Sequence, residues 1–322
     1  MSEQSYCLTP PDAVRSPRGT VPRYERCVRV VLIGVLALAA CRTIRDEPPL
    51  PDAYTGPEGR VATFNVRRLF DTVCESTTCE PGAYEELLTQ GELDARAAQI
   101  ADAIRALDAD VISLQEIETQ ACLDALLAQI GDAMPYGVLG ETNAIASVDV
   151  AILSKNPIDL VVGHRAQFPF MSRELLEVHT SAGGIPVVML AAHFKSKAND
   201  EPSRRLYEAE SSARVVNEIA AREPGSLVVL GGDLNDTPGS PPLDALTVEG
   251  GLIRVADDVS DEEQATYIFN GTKQAIDHLL LAPSGASRRI PRTARSWRGT
   301  NGYGGSDHFA LTWNFATIED TP

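Results

Sequence analysis

Six short segments of this chain gather carboxylates, carboxamides, imidazoles and lysines where strands are expected to end. The densest is Gly231-Gly232-Asp233-Leu234-Asn235-Asp236-Thr237-Pro238, directly after the apolar run 227–230. A buried strand of that type delivers its last residues to the rim of a sheet. Two carboxylates and a carboxamide within four residues suit a hard cation or a water that is to lose a proton. The paired glycines permit a ligand to approach the backbone, and Thr-Pro-Gly turns the chain away. Asp233 and Asn235 alternate, so an extended backbone points both the same way and Asp236 the other way, toward a turn cap. A polar turn closing a strand is the plainer alternative.

The other five segments are Thr63-Phe64-Asn65-Val66, Leu114-Gln115-Glu116-Ile117-Glu118, Ala192-His193-Phe194-Lys195-Ser196-Lys197, Ile276-Asp277-His278-Leu279 and Ser306-Asp307-His308. In this order they resemble the endonuclease/exonuclease/phosphatase, or DNase I-like, superfamily, over nearly the whole chain from Arg60 to Phe315. The resemblance implies a four-layer α/β/β/α sandwich and metal-assisted hydrolysis of phosphoesters. It makes Glu116 the principal Mg²⁺ ligand, with Asn65 orienting the carboxylate, the metal or its waters, and Asp307 completing the metal or water shell. Asp233 then activates the attacking water, and Asn235 binds a phosphate oxygen.

His193 and His308 match the two catalytic histidines, Asp277 the acid that fixes the tautomer of His308, and Glu141 the acid that partners His193. Arg173 matches a phosphate-contacting arginine. His278 must face away from Asp277 and is left out. Lys195 and Lys197 alternate from His193, giving one face of three cationic groups for substrate. The ligand candidates are all oxygens and no Cys/His cluster exists, which favours Mg²⁺, with Mn²⁺ or Ca²⁺ able to substitute.

The net charge of −17 argues mildly against a nucleic-acid binder, which is usually basic. Against that background Arg288, Arg289, Arg292, Arg295 and Arg298 place five positive charges in eleven residues just before Ser306-Asp307-His308. Such a concentration suggests docking of a polyanion, the plainer alternative being a basic surface loop.

Residues 1–40 read as a targeting leader. Arg23, Arg26 and Arg29 precede the apolar run 30–40, which is short for a membrane span and suits an export signal. Leu38-Ala39-Ala40-Cys41 looks like a bacterial lipobox, with Cys41 lipidated. Ordinary cleavage near residue 39 would instead release a soluble secreted protein. The expected location is the bacterial envelope, held by the lipid anchor alone, or the medium. An oxidising compartment permits a Cys74–Cys79 disulfide, with two free thiols the alternative, and Cys122 reads as core.

Residues 41–59 read as a tether, 60–316 as one catalytic domain and 317–322 as a tail. Strands are expected at 61–66, 110–116, 136–140, 149–154, 175–180, 186–193, 227–230, 266–269, 275–281 and 309–315. Helices are expected over the apolar period 93–107, from the N-cap Thr119 to Ile130, and over 203–223, with a short one at 241–248. Strand-helix-strand ending in site acids occurs twice, which by itself suggests two sheets packed face to face with helices outside.

The expected function is an exported, monomeric, Mg²⁺-dependent phosphodiesterase, foremost an endonuclease cutting DNA or RNA by in-line attack of water. Phosphatase or phosphodiesterase action on inositol phosphates or phospholipids, as in a sphingomyelinase, stays open. So does a non-catalytic envelope lipoprotein that only binds.

Overall fold

The computed structural model describes residues 54–299 and 302–318. The leader, Cys41 and the first part of the expected tether lie outside the described residues. The strands of the described residues, in chain order, are β1 (Glu58–Leu69), β2 (Val111–Ile117), β3 (Tyr136–Gly140), β4 (Asp149–Ser154), β5 (Leu160–Gly163), β6 (Leu176–Ala182), β7 (Ile185–His193), β8 (Leu227–Asp233), β9 (Ile253–Arg254), β10 (Tyr267–Phe269), β11 (Thr272–Gln274), β12 (Asp277–Leu281), β13 (Arg295–Trp297) and β14 (Ala310–Ala316). The main helices are α1 (Gln90–Leu107), α2 (Gln120–Ile130) and α3 (Pro202–Arg222).

Two six-stranded sheets, ordered β13-β14-β1-β2-β4-β3 and β5-β6-β7-β8-β12-β9, stack face to face. Side-chain alternation sorts the apolar residues into three layers. In β1, Ala62 and Phe64 face α1 and α2. In β7 and β8, Val188, Leu190, Val228 and Leu230 face α3. The intervening Val61, Val187, Met189, Leu227 and Val229 fill the layer between the sheets, with Trp313 and Phe315 from β14. This is the α/β/β/α sandwich expected from sequence.

Each sheet is built on one parallel pair. β1 and β2 are joined through α1, and β7 and β8 through α3, so both pairs bring their C-terminal ends to one rim. α1 opens on a capping box, in which Thr89 and Glu92 each satisfy the other's backbone N–H, and such a cap contributes about 1 kcal/mol. Gly232 is needed for the β7–β8 approach: a Cβ there would lie 1.9 Å from the Ala192 carbonyl oxygen. The sequence reading assigned that glycine to a ligand; the neighbouring strand is what comes close.

Three further differences have local causes. β1 starts at Glu58 because Glu58 and Gly59 pair with Ala316 and Phe315, so the tether ends earlier than expected. The stretch expected at 266–269 becomes one arm of the hairpin β10–β11, turned by Asn270 and Gly271 with positive φ. The arginine-rich segment contains β13, which pairs with β14 at the edge of the first sheet. Cys74 and Cys79 are disulfide-bonded, and Cys122 is buried on α2.

Candidate active site

The polar residues at the rim continue the parity of the layer between the sheets. Val61, Thr63 and Asn65 share one face of β1, and Val187, Met189, Ala191 and His193 one face of β7. Asp233 extends Leu227, Val229 and Gly231, and Asp277 precedes Leu279 and Leu281. The sheets therefore run out of apolar residues at one end and present Asn65, His193, Asp233 and Asp277, all buried.

Glu116 breaks this parity. Ile112 and Leu114 on either side of Ser113 face the helices, so alternation alone would send Glu116 outward with them. A bulge between Gln115 and Ile117, with Glu116 at φ 71°, turns the carboxylate back into the site. Asn65 in fact pairs with Gln115, yet its Nδ2 donates to Glu116 Oε1 at 3.2 Å and to Asp233 Oδ2 at 3.0 Å. Arg67, Arg68 and Asn235 also have positive φ, so strained backbone collects around these acids.

Asp233 is the geometric centre. His193 Nε2 and His308 Nε2 each lie 3.8 Å from Asp233 Oδ2, while Asp233 Oδ1 accepts from the Asn235 backbone N–H. Burial, then the Asp277 charge, raises the pKa of Asp233 to about 7. Burial alone would lower His308, but the adjoining Asp277 carboxylate overrides it and raises the pKa to about 10. His308 Nδ1 and Asp277 Oδ2 are 2.8 Å apart. At neutral pH His308 is an imidazolium, and it supplies the counter-charge of the Asp233–Asp277 cluster. His193 has the opposite fate: burial first, then Arg173 and His308, push it well below the usual imidazole range, so it is neutral.

The remaining expected residues divide. Arg173 stands in the site, donating through Nε to the Val148 carbonyl at 3.1 Å, with its charge felt at Tyr84 and His193. Asp307 is at the open rim, paired with Arg67 at 3.8 Å. Asn235 is not extended: its left-handed backbone sends Nδ2 to the Phe194 carbonyl, next to His193. Asp236 is more than a turn cap, because it binds Lys197 and Arg205.

The expected His-Lys-Lys face does not form. Lys195 donates to the carbonyls of Ser196 and Ala198, and Lys197 is held by Asp236. Glu141 is likewise not joined to His193, whose buried Nδ1 has no hydrogen-bond partner among the described residues. It lines an acidic pocket of about 240 Å³ with Glu75, Glu118 and Asn143.

The arginine run is also spoken for in part. Arg289 pairs with Asp257 and Asp258, Arg298 with Glu262, and Arg288 donates to the carbonyls of Ala316 and Thr317. Asp257, Asp258 and Glu262 thus offset Arg289 and Arg298, where the sequence suggested free charge. The cations beside the rim acids are others, not singled out from sequence: Arg67, more than half exposed, and Arg68, whose guanidinium lies 4.6 Å above the Tyr84 ring and whose backbone N–H binds Glu116. They follow Asn65 directly, and that adjacency was the available signal. Tyr267, stacked on His308 at 4.8 Å, had none.

The sequence pattern of the Endonuclease/Exonuclease/phosphatase family matches residues 62–308. This chain belongs to that family. It is therefore a phosphoester hydrolase, of a family that uses divalent metals. Among solved structures it is similar to a truncated TDP2 from Caenorhabditis elegans, at 20% identity and TM-score 0.58 over 81% of this chain and 98% of that one. It is also similar to a mutant beta toxin from Staphylococcus aureus with bound magnesium ions, at 17% identity and TM-score 0.51 over 80% and 99%. A third is D. rerio TDP2 complexed with a single-strand DNA product, at 18% identity and TM-score 0.52 over 81% and 99%. At such identities these likenesses speak for the fold. No curated protein matches the chain in sequence.

The donor set fits a hard cation. Glu116 is fixed by Asn65 and the Arg68 N–H, stays partly open at the rim, and has the Asp307 carboxylate on the same rim. Glu116 would hold the ion, with Asn65 setting the carboxylate's orientation.

Proposed function

We infer that this chain is an exported Mg²⁺-dependent phosphodiesterase that cleaves polynucleotides. The observation that carries the substrate is the composition of the site's mouth. Arg67, Arg68 and Arg173 stand around the acids together with Tyr84 and Tyr267. Arginines suit a line of phosphates and aromatic rings suit bases, the pairing that single-stranded nucleic acid uses. Bound at Glu116, Mg²⁺ supplies positive charge to the phosphate oxygens.

The chain's own groups complete the hydrolysis. Asp233, ionised above about pH 7, takes a proton from the water whose oxygen bonds to phosphorus. His308, protonated and oriented by Asp277, gives a proton to the oxygen that leaves as the old P–O bond breaks. His193, neutral and buried, and Arg173 hold the non-bridging oxygens. Asn65 fixes both Glu116 and Asp233, which couples metal holding to water activation.

A second reading, a phospholipid headgroup as substrate, draws on the exposed Phe170, Ile268 and Phe269. The leader and Cys41 support placement in the envelope, as a monomer tethered by lipid. Purified protein with Mg²⁺, tested side by side on plasmid DNA, RNA, sphingomyelin vesicles and inositol phosphates, decides the substrate. Cleavage of a nucleic acid is the expected result. Turnover confined to sphingomyelin would replace this reading with the second.

A further inference from the structure

Helix α3 turns two charged side chains inward. Arg205 and Glu208, one turn apart, are buried beside Ala209, Val216 and the other apolar residues that pack on β7 and β8. A buried carboxylate is costly unless hydrogen bonds satisfy it. Glu208 is satisfied twice, and by two different loops. Its Oε1 accepts the Ser172 backbone N–H at 2.7 Å, and its Oε2 the Lys195 backbone N–H at 2.7 Å. Ser172 immediately precedes Arg173, and Lys195 follows His193 by two residues. Burial raises the pKa of this carboxyl, against those hydrogen bonds and the Arg173 charge.

Arg205 holds the other side of the same structure. It donates to the Lys195 carbonyl at 3.1 Å, to Asp200 at 2.7 Å and to Asp236 at 2.9 Å, next to Asn235. Lys195 is thus gripped by its N–H and its C=O from one helix face. Neither Glu208 nor Arg205 donates to, accepts from or pairs with Glu116, Asp233, His193 or His308 among the described contacts. What the pair adds to the apolar face of α3 is a link between the two loops.

We propose that Glu208, steadied by Arg205, is a positioning residue that sets Arg173 and His193 at one distance from each other, so that both engage the same phosphate. The claim rests on the reading of Arg173 and His193 as phosphate-holding groups. Glu208→Gln is the sharpest change, because one acceptor becomes an NH₂ that must face a backbone N–H, releasing one loop while the volume stays. Glu208→Asp keeps the charge but is too short to reach both loops.

The full chain and both variants are assayed with Mg²⁺ on bis(p-nitrophenyl) phosphate and on plasmid DNA. Glu208→Gln is expected to lower kcat/KM by roughly 10- to 100-fold. The Mg²⁺ concentration for half-maximal rate should stay within about twofold, since Glu116 lies on the opposite sheet. In an Arg173→Ala background the same change should cost several-fold less than in the wild type, because only His193 is then left to be positioned. Amide exchange at Ser172 and Lys195 should quicken in Glu208→Gln, a readout that does not need activity.

Equal losses with and without Arg173, full activity in Glu208→Gln, or failure of both variants to fold would overturn the proposal. If the wild-type chain hydrolyses neither substrate, the phosphodiesterase reading fails. Amide exchange then decides the positioning claim alone, and unchanged exchange at both residues would end it.

Discussion

His193 and His308 flank one carboxylate, Asp233, yet stand at opposite protonation states. The chief difference is that Asp277 adjoins and raises His308, whereas burial and the Arg173 and His308 charges lower His193, whose Nδ1 has no hydrogen-bond partner among the described residues. A rate profile should therefore rise through about pH 7, as Asp233 loses its proton, and fall through about pH 10, as His308 loses its own. In Asp277→Asn both limbs move to lower pH. Removing that anion lets burial lower His308, and also lifts the repulsion that raises Asp233. An unmoved alkaline limb would show that His308 is not the acid. His193→Ala and His308→Ala should each cost on the order of 10²–10⁴ in rate, read from initial rates of the folded variants. Glu116→Gln should raise the Mg²⁺ requirement at least about 100-fold, read from metal titration of the initial rate.

At the scale of elements, two devices shape the site: the bulge in β2 and the close β7–β8 pair. Gly232→Ala would press a methyl group into the Ala192 carbonyl, backbone against backbone, and should cost upward of about 3 kcal/mol in urea unfolding. A variant as stable as wild type would mean the strands can part freely. Just beyond the bulge, Glu118 is buried, its Oε1 without a partner. Burial raises its pKa to about 7, against the Asp71 N–H that it accepts. The folded chain binds this proton more tightly than the unfolded one, so its stabilising share is full below about pH 4.5 and is lost as pH rises through 7. Glu118→Gln should accordingly raise Tm at pH 8 by a few degrees and leave it unchanged near pH 4. Thermal scans at the two pH values check the sign.

For the whole molecule, a net charge of −17 opposes a polyanion, while at the mouth Arg67, Arg68 and Arg173 gather. Neutralising Arg67 and Arg68 to Gln should raise KM for DNA or RNA several-fold and flatten its dependence on salt, while a small phosphodiester is turned over nearly as before. Changing Arg289 and Arg298 to Gln should leave both untouched, because Asp257, Asp258 and Glu262 already neutralise them. A salt slope that follows the second pair and not the first would return the docking surface to the 288–298 segment.

Most of the secondary structure was legible in the chain, because burial writes a period of two or 3.6 into strands and helices such as β7, β8, α1 and α3. The chemistry at the strand ends was legible as well: Asn65, Asp233, Asp277 and His193 lie where alternation carries them into the layer between the sheets, whereas His308, before β14 begins, shares the parity of Ala310, which faces the helices. Short elements such as β5, β9 and β13 were not, since two to four residues give too little periodicity and their pairing is supplied by neighbours. The sequence alone thus determined the family, the sandwich and the gathering of Asn65, His193, Asp233 and Asp277 at one rim. Tertiary structure decided how they are aimed and charged. A bulge reverses Glu116, a left-handed turn redirects Asn235, and Asp236, Asp257, Asp258 and Glu262 offset Lys197, Arg289 and Arg298, which looked free. Such outcomes depend on partners far away along the chain and on burial, and neither is encoded in the local spacing of a segment.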